Sequence, residues 1–207
     1  ADVLLEGFKP GALARSGLPV EALLERHPKL IVASISGYGQ VGPLSQEPGH
    51  DLNYQGLAGV IAQAAQEGPY PVQVADVAGG SLTAALSICA ALLGQQRGNL
   101  DRRWLDISMS DGALGLMAPH LATATARGQT LQPQGEMLTG GLPNYRAYRC
   151  SDGRWICVGS LEPKFMARLI EQAGGPPSAE LFATRTRDEW VQRLQECCVS
   201  PALEAEE

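Results

Sequence analysis

The architecture of this chain follows from one apolar run, Lys29-Leu30-Ile31-Val32-Ala33-Ser34-Ile35-Ser36. A shorter run, Asp2-Val3-Leu4-Leu5-Glu6, lies upstream and ends in a Pro-Gly turn, and residues 20–26 between the two runs have helical spacing. Short apolar runs are typical of buried strands, and a strand, a helix and a second strand in succession form a βαβ unit with parallel strands. We therefore predict an α/β first part, in which helices cover a parallel sheet.

A loop rich in glycine and proline follows this run and covers residues 36–48. It leaves the carboxyl end of the predicted strand, which is the edge where open α/β sheets bind their ligands. The sequence Gly49-His50-Asp51-Leu52-Asn53-Tyr54 comes next and opens a predicted helix at 51–65. The pattern thus predicts a histidine at the start of a helix, on the ligand-binding edge of the sheet.

A second polar residue, Asp76, lies in the stretch Val74-Ala75-Asp76-Val77-Ala78-Gly79-Gly80. Residues 66–71 before it contain glycine and proline, so we predict a turn there. Residues 77–96 are rich in alanine and leucine and predict a helix in the domain interior, with Asp76 immediately before it. Two roles stay open for this aspartate: a cap for free backbone N–H groups, or a reactive carboxylate that the glycines leave accessible to a ligand.

The remainder of the chain predicts a smaller α+β domain. The large domain ends with a predicted strand at 103–109 and a predicted helix at 111–126. The small domain is predicted to contain a hairpin of strands 145–150 and 154–159, followed by helices at 162–172 and 187–198. An Asp-Gly pair at the hairpin turn is a direct signal for that structure. The polar, glycine-rich residues between the two parts predict a linker. The predicted boundaries are 1–127 for the large domain, 128–142 for the linker and 143–207 for the small domain.

Three side chains carry the chemistry that the sequence suggests: His50, Asp76 and Glu162. Each lies near glycine or proline, where the backbone leaves room for a ligand. A histidine and two carboxylates are groups that proton transfer at carbon requires. Buried histidines and capping aspartates are common in structural roles as well, so spacing alone leaves the structural and the catalytic interpretations open.

Several motifs resemble those of one known family. They are Leu5-Glu6-Gly7-Phe8-Lys9-Pro10-Gly11, Ser36-Gly37-Tyr38-Gly39-Gln40 with Gly42-Pro43, Gly49-His50-Asp51-Leu52-Asn53-Tyr54, Ala75-Asp76-Val77-Ala78-Gly79-Gly80 and Val158-Gly159-Ser160-Leu161-Glu162-Pro163-Lys164-Phe165. In this order they resemble the family III CoA-transferases, also called CaiB/BaiF, a family that includes α-methylacyl-CoA racemase. Ordered motifs over nearly the whole chain make a specific match. The resemblance implies a Rossmann-like large domain, a small α+β domain and an interlocked homodimer.

The resemblance implies one of two reactions on acyl-CoA thioesters. By similarity to the racemase members, His50 and Asp76 match the pair that exchanges the α-proton of a 2-methylacyl-CoA. Glu162 matches the carboxylate that hydrogen-bonds the histidine. By similarity to the transferase members, Asp76 matches the aspartate that forms a mixed anhydride with the acyl group while CoA passes between two carboxylic acids. The histidine and the second carboxylate favour α-proton chemistry, because a transferase does not need a second proton carrier.

The resemblance also implies where CoA binds. Lys9 matches a family position near the phosphates of CoA, where the family usually has arginine, and lysine lacks the bidentate fork of arginine. The segment that lines the pantetheine and the thioester is matched by Gly49, Asp51, Leu52, Asn53 and Tyr54. CoA is then the carrier of the substrate, and we expect no further cofactor and no bound metal.

The family pattern extends beyond this chain in both directions. Family members have further sheet strands before the position of residue 1 and more chain after the small domain, so we expect this chain to be a fragment. In the interlocked dimer of the family, the small domain of one subunit completes the site on the large domain of the other. Glu162 is therefore expected to approach His50 across subunits.

Composition narrows the class of protein. The 207 residues are 44% hydrophobic and carry a net charge of −6, which argues against a general nucleic-acid surface because such a surface needs a basic excess. No uninterrupted apolar run of about 18 residues suggests a membrane span. An odd number of cysteines without metal-ligand spacing is typical of reduced thiols. Two interpretations stay open for Cys150 and Cys157, which flank the predicted hairpin turn: they face each other across it, or they are two small, half-buried strand residues. We expect a cytoplasmic homodimer with an acyl-CoA substrate and neither nucleic-acid nor membrane partners.

Overall fold

The computed structural model describes residues 1–64 and 70–204. The chain divides into two compact units, Ala1–Gln129 and Thr130–Glu207, and each has its own sheet. The division falls inside the segment predicted as a linker. The predicted turn at 66–71 lies mostly outside the described residues.

The first unit is built on a parallel sheet of three strands in the order β1-β2-β3. The strands are β1 (Val3–Glu6), β2 (Ile31–Ser36) and β3 (Trp104–Ser108). The central strand β2 pairs with both neighbours in parallel register. Its residues Ile31, Val32 and Ala33 are fully buried, as is typical of a central parallel strand. The predicted α/β parallel sheet is confirmed.

Short α-helices accompany this sheet. They are α1 (Ala12–Arg15), α2 (Val20–Arg26), α3 (Asp51–Leu57), α4 (Val60–Ala64), α5 (Thr83–Gln96), α6 (Met109–Leu116) and α7 (Ala118–Arg127). The prediction of one helix at 51–65 is wrong, because Gly59 has a φ of 80° and this left-handed backbone ends α3. The predicted helix at 111–126 is also two helices. The second one begins at Ala118, and Pro119 lies in its first turn, where the ring of a proline is tolerated.

The prediction for residues 77–96 is wrong in two respects. The helix begins earlier, as a π-helix at Val74–Leu82 that continues into α5, so Asp76 lies inside its first turn rather than before it. The helix is not in the interior, because Leu82 and Leu86 are 62% and 73% exposed. Among the described residues, Val74–Gln96 is the one helical stretch long and apolar enough to cross a membrane, and this test of length and composition is weak support for that role.

The second unit has an antiparallel sheet in the order β4-β5-β6. Its strands are β4 (Tyr145–Arg149), β5 (Trp155–Gly159) and β6 (Val199–Pro201). The predicted hairpin forms, and Gly153 in its turn has a φ of 81°, which glycine adopts without strain. Of the two interpretations for the cysteines, the one in which Cys150 faces Cys157 is wrong. The register pairs Cys157 with Ala147, and Cys150 lies beyond the last pair, where its N–H donates to the Arg154 carbonyl.

The helices of the second unit are α8 (Pro163–Ala173), α9 (Ala179–Phe182) and α10 (Arg187–Arg193), with a π-helical turn at Met137–Gly141. Thr186 caps α10, because its hydroxyl accepts the N–H of Glu189 at 3.3 Å. The predicted helix at 187–198 is too long. It ends at Arg193, and the left-handed φ values of Glu196 and Cys198, 56° and 53°, turn the chain into β6.

The described cores of the two units differ in the size of their side chains. In the second unit, Tyr148 stacks on Phe182 with ring centroids 4.7 Å apart, and Trp190 meets Phe182 edge-on at 5.3 Å. The indole N–H of Trp190 donates to the Phe182 carbonyl at 2.9 Å. The first unit instead has a cluster next to the π-helix composed of Tyr54, Ala58, Ala75 and Ala113. Small residues there let helices approach each other closely.

Candidate active site

The parallel strands of the first unit end at one edge of the sheet, at Glu6, Ser36 and Ser108. The segment after β1 carries Lys9, and the loop after β2 leads to His50. The segments that follow β2 and β3 are joined by a hydrogen bond from the Ser110 N–H to the Gly37 carbonyl, 3.0 Å long. Ligand-binding segments of open α/β sheets gather at this edge.

His50 lies directly before α3 and is exposed. Its amide N–H donates to Oδ1 of Asn53 at 3.0 Å. Its carbonyl accepts the amide N–H groups of Asn53 and Tyr54, at 2.8 and 3.2 Å. These bonds fix the backbone at the start of the helix, so the histidine lies where the sequence pattern predicts it.

Tyr54 fixes the segment before His50. Its hydroxyl donates to the Gly49 carbonyl at 2.6 Å, and its ring meets Tyr38 edge-on with centroids 5.0 Å apart. A Cβ at Gly49 would lie 2.7 Å from the Tyr54 ring, and one at Gly37 would lie closer still. Burial raises the pKa of the Tyr54 phenol, and Tyr38 and Asp76 add to this effect. Packing against Tyr54 thus explains two glycines of the loop.

Asp76 lies in the first turn of the π-helix, with a half-buried side chain. Its Oδ1 atom is buried and makes no hydrogen bond within the described part of the chain. Burial raises the pKa of Asp76, the negative charge of Asp51 raises it further, and His50 opposes both by lowering it. The Asp76 amide N–H also donates to Oδ1 of Asp51, the residue directly after His50, at 3.0 Å. The structure therefore brings together two of the three residues that the sequence singled out.

Glycines set the position of the π-helix against α6. A Cβ at Gly112 would collide with the Gly79 carbonyl, and a Cβ at Gly79 would lie 2.6 Å from the Met109 carbonyl oxygen. Backbone therefore meets backbone at this crossing. The hydroxyl of Ser81 donates to the Asp76 carbonyl at 3.1 Å. Stretches of π-helix are frequent at functional sites, and this one holds the Asp76 backbone in a wide turn.

The segment predicted to line CoA contains two kinds of side chain. Leu52 and Asn53 are exposed, whereas Asp51 and Tyr54 are buried. The Asp51 carboxylate accepts backbone N–H groups of the π-helix. The buried pair is therefore engaged in contacts inside the first unit. The contact of Gly49, Asp51, Leu52, Asn53 and Tyr54 with CoA stays a prediction.

Lys9 is exposed and lines a cavity of about 190 Å³ together with Glu6, Gln40 and Trp104. A larger cavity of about 460 Å³ shares Gln40, Val41 and Trp104 with the first one. The smaller cavity includes Glu6, the last residue of β1, whereas the larger one also includes Asp101, Arg102 and Arg103, which lie before the start of β3. The contact of Lys9 with a phosphate of CoA stays a prediction, since a lysine binds phosphate as a point charge and needs no fixed geometry.

Glu162 lies in the second unit, directly before α8. Its carbonyl accepts the N–H groups of Phe165 and Met166, both at 3.0 Å, and its side chain is exposed. Its pairing with His50 stays a prediction. Within residues 1–64 and 70–204, no group of three histidine, cysteine or acidic side chains is placed to hold a metal ion.

Sequence reasoning missed the connection between Asp51 and Gln55. Gln55 is fully buried, and its Nε2 atom donates to Oδ2 of Asp51. The two residues are four apart on α3, a spacing at which helical side chains meet, so the sequence held a signal for this pair. The bonds from Asp51 to the π-helix span 24 and 25 residues of chain and have no local signal.

A family comparison identifies the class of this chain. The family model described as CoA-transferase family III matches residues 1–205. The chain belongs to CoA-transferase family III. This membership confirms the resemblance carried by the motifs around Lys9, His50, Asp76 and Glu162. It also agrees with the parallel sheet of the first unit.

Relatives of this family III chain carry the names of both reactions. Alpha-methylacyl-CoA racemase of Mus musculus is 37% identical over 232 residues, covering 100% of the chain and 60% of the relative. Succinyl-CoA–D-citramalate CoA-transferase of Chloroflexus aurantiacus is 29% identical over 180 residues, covering 86% of the chain and 44% of the relative. A crystal structure of Rv3272 from Mycobacterium tuberculosis has a TM-score of 0.77 at 28% identity, covering 100% of the chain and 61% of that protein. The chain thus spans about 60% of the length of the racemase.

Proposed function

We propose that the full-length protein inverts the α-carbon of 2-methylacyl-CoA thioesters by proton transfer, with His50 and Asp76 as the two proton carriers. The observation that supports this proposal is the environment of the Asp76 carboxylate. This carboxylate is half-buried, has a raised pKa and a buried oxygen that makes no hydrogen bond to the described residues, and the Asp76 amide N–H is bonded to Asp51, the residue after His50. A pKa shifted toward neutrality suits a group that must both take and give a proton. The 37% identity to a racemase supports the same reaction.

The reaction needs one group on each face of the α-carbon. The C–H bond beside a thioester carbonyl is a weak acid, so a base removes the proton from one face and leaves an enolate. A second group then returns a proton to the opposite face. His50 and Asp76 exchange these two roles when the configuration of the substrate is reversed, so one of them is protonated while the other is basic.

The proposal gives supporting roles to other residues. Glu162 hydrogen-bonds the imidazole of His50 and so holds its tautomer and orientation, across the two subunits of a homodimer. Lys9 meets the phosphates of CoA, which carries the substrate, and the protein is cytoplasmic. Mixing the variants His50→Ala and Glu162→Ala tests the shared site, because a mixed dimer restores one intact site. Mixed variants that stay inactive would contradict it.

A second candidate function is CoA transfer. It is favoured by the transferase relative and by the Asp76 oxygen that makes no hydrogen bond within residues 1–64 and 70–204. In this route a carboxylate oxygen of Asp76 attacks the thioester carbonyl. The C–S bond breaks, CoA leaves as a thiolate, and an aspartyl-acyl anhydride forms. Turnover then requires a second carboxylic acid to receive CoA.

Incubation with (2R)- or (2S)-2-methylacyl-CoA in deuterated water distinguishes the two functions. We expect the α-carbon to gain deuterium and both configurations to appear. The variants Asp76→Asn and His50→Ala should each lower the exchange rate by roughly 10²- to 10⁴-fold, the usual contribution of a general acid or base. The matched controls are Asp2→Asn and His27→Ala, which change exposed residues before β1 and β2 and should leave the rate unchanged.

Passage of CoA between two acids without α-exchange would contradict the proposed function. Hydroxylamine would then trap the acyl group on Asp76. In that case His50→Ala should keep substantial activity, because the covalent route does not need the imidazole as a proton carrier.

A further inference from the structure

A buried carboxylate connects the two helices of the candidate site. Asp51 is 9% exposed, and its Oδ1 atom accepts the amide N–H groups of Ala75 and Asp76, at 2.8 and 3.0 Å. Its Oδ2 atom accepts a hydrogen bond from Nε2 of Gln55. Burying a carboxylate is costly unless its oxygens are hydrogen-bonded, so these partners are what make the position possible.

The bonds to Asp51 act on the first turn of the π-helix. Amide groups in the first turn of a helix have no acceptor inside the helix, and negative charge there is favourable. Asp51 supplies the acceptor for two of these amides, and one of the two belongs to Asp76. Asp51 is itself the first residue of α3, directly after His50. One side chain therefore sets the spacing between the backbones of His50 and Asp76.

We propose that Asp51 is a positioning residue, whose buried carboxylate ties the start of the π-helix to the start of α3 and so fixes Asp76 relative to His50. The proposal rests on Asp76 being the reactive carboxylate, in either candidate reaction. It gives the Asp51 side chain a task inside the protein, in addition to the contact with CoA expected from the sequence.

Asp51 acts on the charge of Asp76 as well as on its position. Its negative charge raises the pKa of Asp76, second to burial, and His50 acts in the opposite direction. The other ionisable side chains on elements packed against the π-helix are Tyr54 on α3, Cys89 on α5, Asp106 on β3 and Asp111 on α6. Among the described residues, Asp51 is the one whose carboxylate accepts hydrogen bonds from the amide N–H groups of the π-helix.

The variant Asp51→Asn separates charge from geometry. The asparagine oxygen can accept the same two backbone N–H groups, and Gln55 can turn its amide so that its oxygen accepts from the new amide nitrogen. The structure permits this turn because Oε1 of Gln55 is buried and unbonded within the described residues. The variant Asp51→Ala removes both the charge and the hydrogen bonds.

The titration of Asp76 in the full-length protein tests the proposal without any substrate. Carboxyl ¹³C shifts, assigned with the help of Asp76→Asn, give its midpoint in the wild type and in Asp51→Asn. We expect the midpoint to fall in Asp51→Asn, because a charge that raises the pKa is gone. It should stay in place in Asp111→Asn, the matched control with an exposed carboxylate on α6. An unchanged midpoint in folded Asp51→Asn would overturn the effect of the Asp51 charge on Asp76.

The wild type provides a second test that does not depend on the folding of any variant. Protonation of Asp51 weakens its bonds to the Ala75 and Asp76 amides, so both amide protons should shift with the same midpoint as the Asp51 carboxyl carbon. Amide shifts that ignore the titration of Asp51 would overturn the proposal.

Kinetics separate positioning from a merely structural role. We expect Asp51→Ala to lower kcat by roughly 10- to 100-fold with little change in KM, because a displacement of about 1 Å at a reacting group has effects of this order. Asp51→Asn should recover most of this loss and move the Asp76 limb of the pH–rate profile to lower pH. Equal losses in the two variants would overturn the proposal. If the wild type shows neither α-exchange nor CoA transfer, the proposed function fails, and the two titrations still decide the role of Asp51.

Discussion

The candidate site of the first unit and the core of the second unit are held together in different ways. In the second unit, large side chains fill the interior, and Trp190 is only 1% exposed where it meets Phe182. Around Asp76 in the first unit, backbone meets backbone at Gly79 and Gly112. Burial of large apolar area stabilises the second unit, whereas close contact of small residues keeps the Asp76 segment in a fixed position.

The two units also differ in the role of a buried charged residue, Arg187 in the second unit and Asp51 in the first. Arg187 is 3% exposed, and its guanidinium donates to Oδ1 of Asp188 and to the Ala202 carbonyl, both at 3.0 Å. It fastens the segment after β6 to α10, which is a structural task. Asp51 instead bonds the amides beside Asp76, whose Oδ1 is buried and unbonded within the described residues. A buried charge next to an unsatisfied polar atom indicates a functional site more strongly than one among satisfied partners.

The largest effect is expected from Trp190→Ala, which tests the aromatic side of this comparison. The loss of a fully buried aromatic ring should lower the free energy of unfolding by about 3–5 kcal/mol. Trp155→Ala is the matched control. Trp155 is 45% exposed and lies 5.5 Å from the Arg149 guanidinium, so we expect a loss of about 1 kcal/mol. Denaturant titrations measure both variants, and equal losses would contradict the dependence of the second unit on its buried aromatic residues.

Gly112→Ala tests the backbone contact of the first unit and should have a smaller effect. The added methyl group would collide with the Gly79 carbonyl, so the two helices must separate, at about 1–3 kcal/mol of stability. Gly115→Ala on the same helix is the control, since nothing lies within 4 Å of its Cβ. Alanine favours helix there by up to about 1 kcal/mol. Calorimetry of the two variants should therefore give shifts of opposite sign, and similar shifts would mean that the crossing is not tight.

The smallest effect is expected from the thiol of Cys150 in the second unit. Burial raises the pKa of Cys150 from 9.0 to about 11, with a further contribution from Asp152 and an opposing one from Arg187. Between these two pH values the unfolded thiol has lost its proton while the folded thiol keeps it, so stability should fall as pH rises. This contribution is fully present below pH 9.0.

Unfolding titrations below and above pH 9.0 measure this slope. Cys150→Ala should flatten it, whereas the control Cys198→Ala, at an exposed cysteine, should leave it unchanged. The prediction is wrong if Cys150→Ala keeps the slope of the wild type.

The sequence by itself determined the parts of this protein that depend on local patterns. Continuous apolar runs predicted the parallel strands, because a strand buried on both faces needs apolar side chains throughout. The Asp-Gly turn predicted the hairpin, because glycine adopts the left-handed backbone of Gly153 without strain. The order of the motifs around His50 and Asp76 predicted the family.

The tertiary structure alone decided how these parts act on each other. Three features depend on contacts between segments far apart in the chain. They are the bonds from Asp51 to Ala75 and Asp76, the glycine crossing that positions the π-helix, and the bond from the Gln195 amide N–H to Oε1 of Gln172 just after α10. Local patterns cannot predict such contacts, because propensity acts over a few residues, whereas the burial of Asp51 requires partners brought there by the rest of the fold.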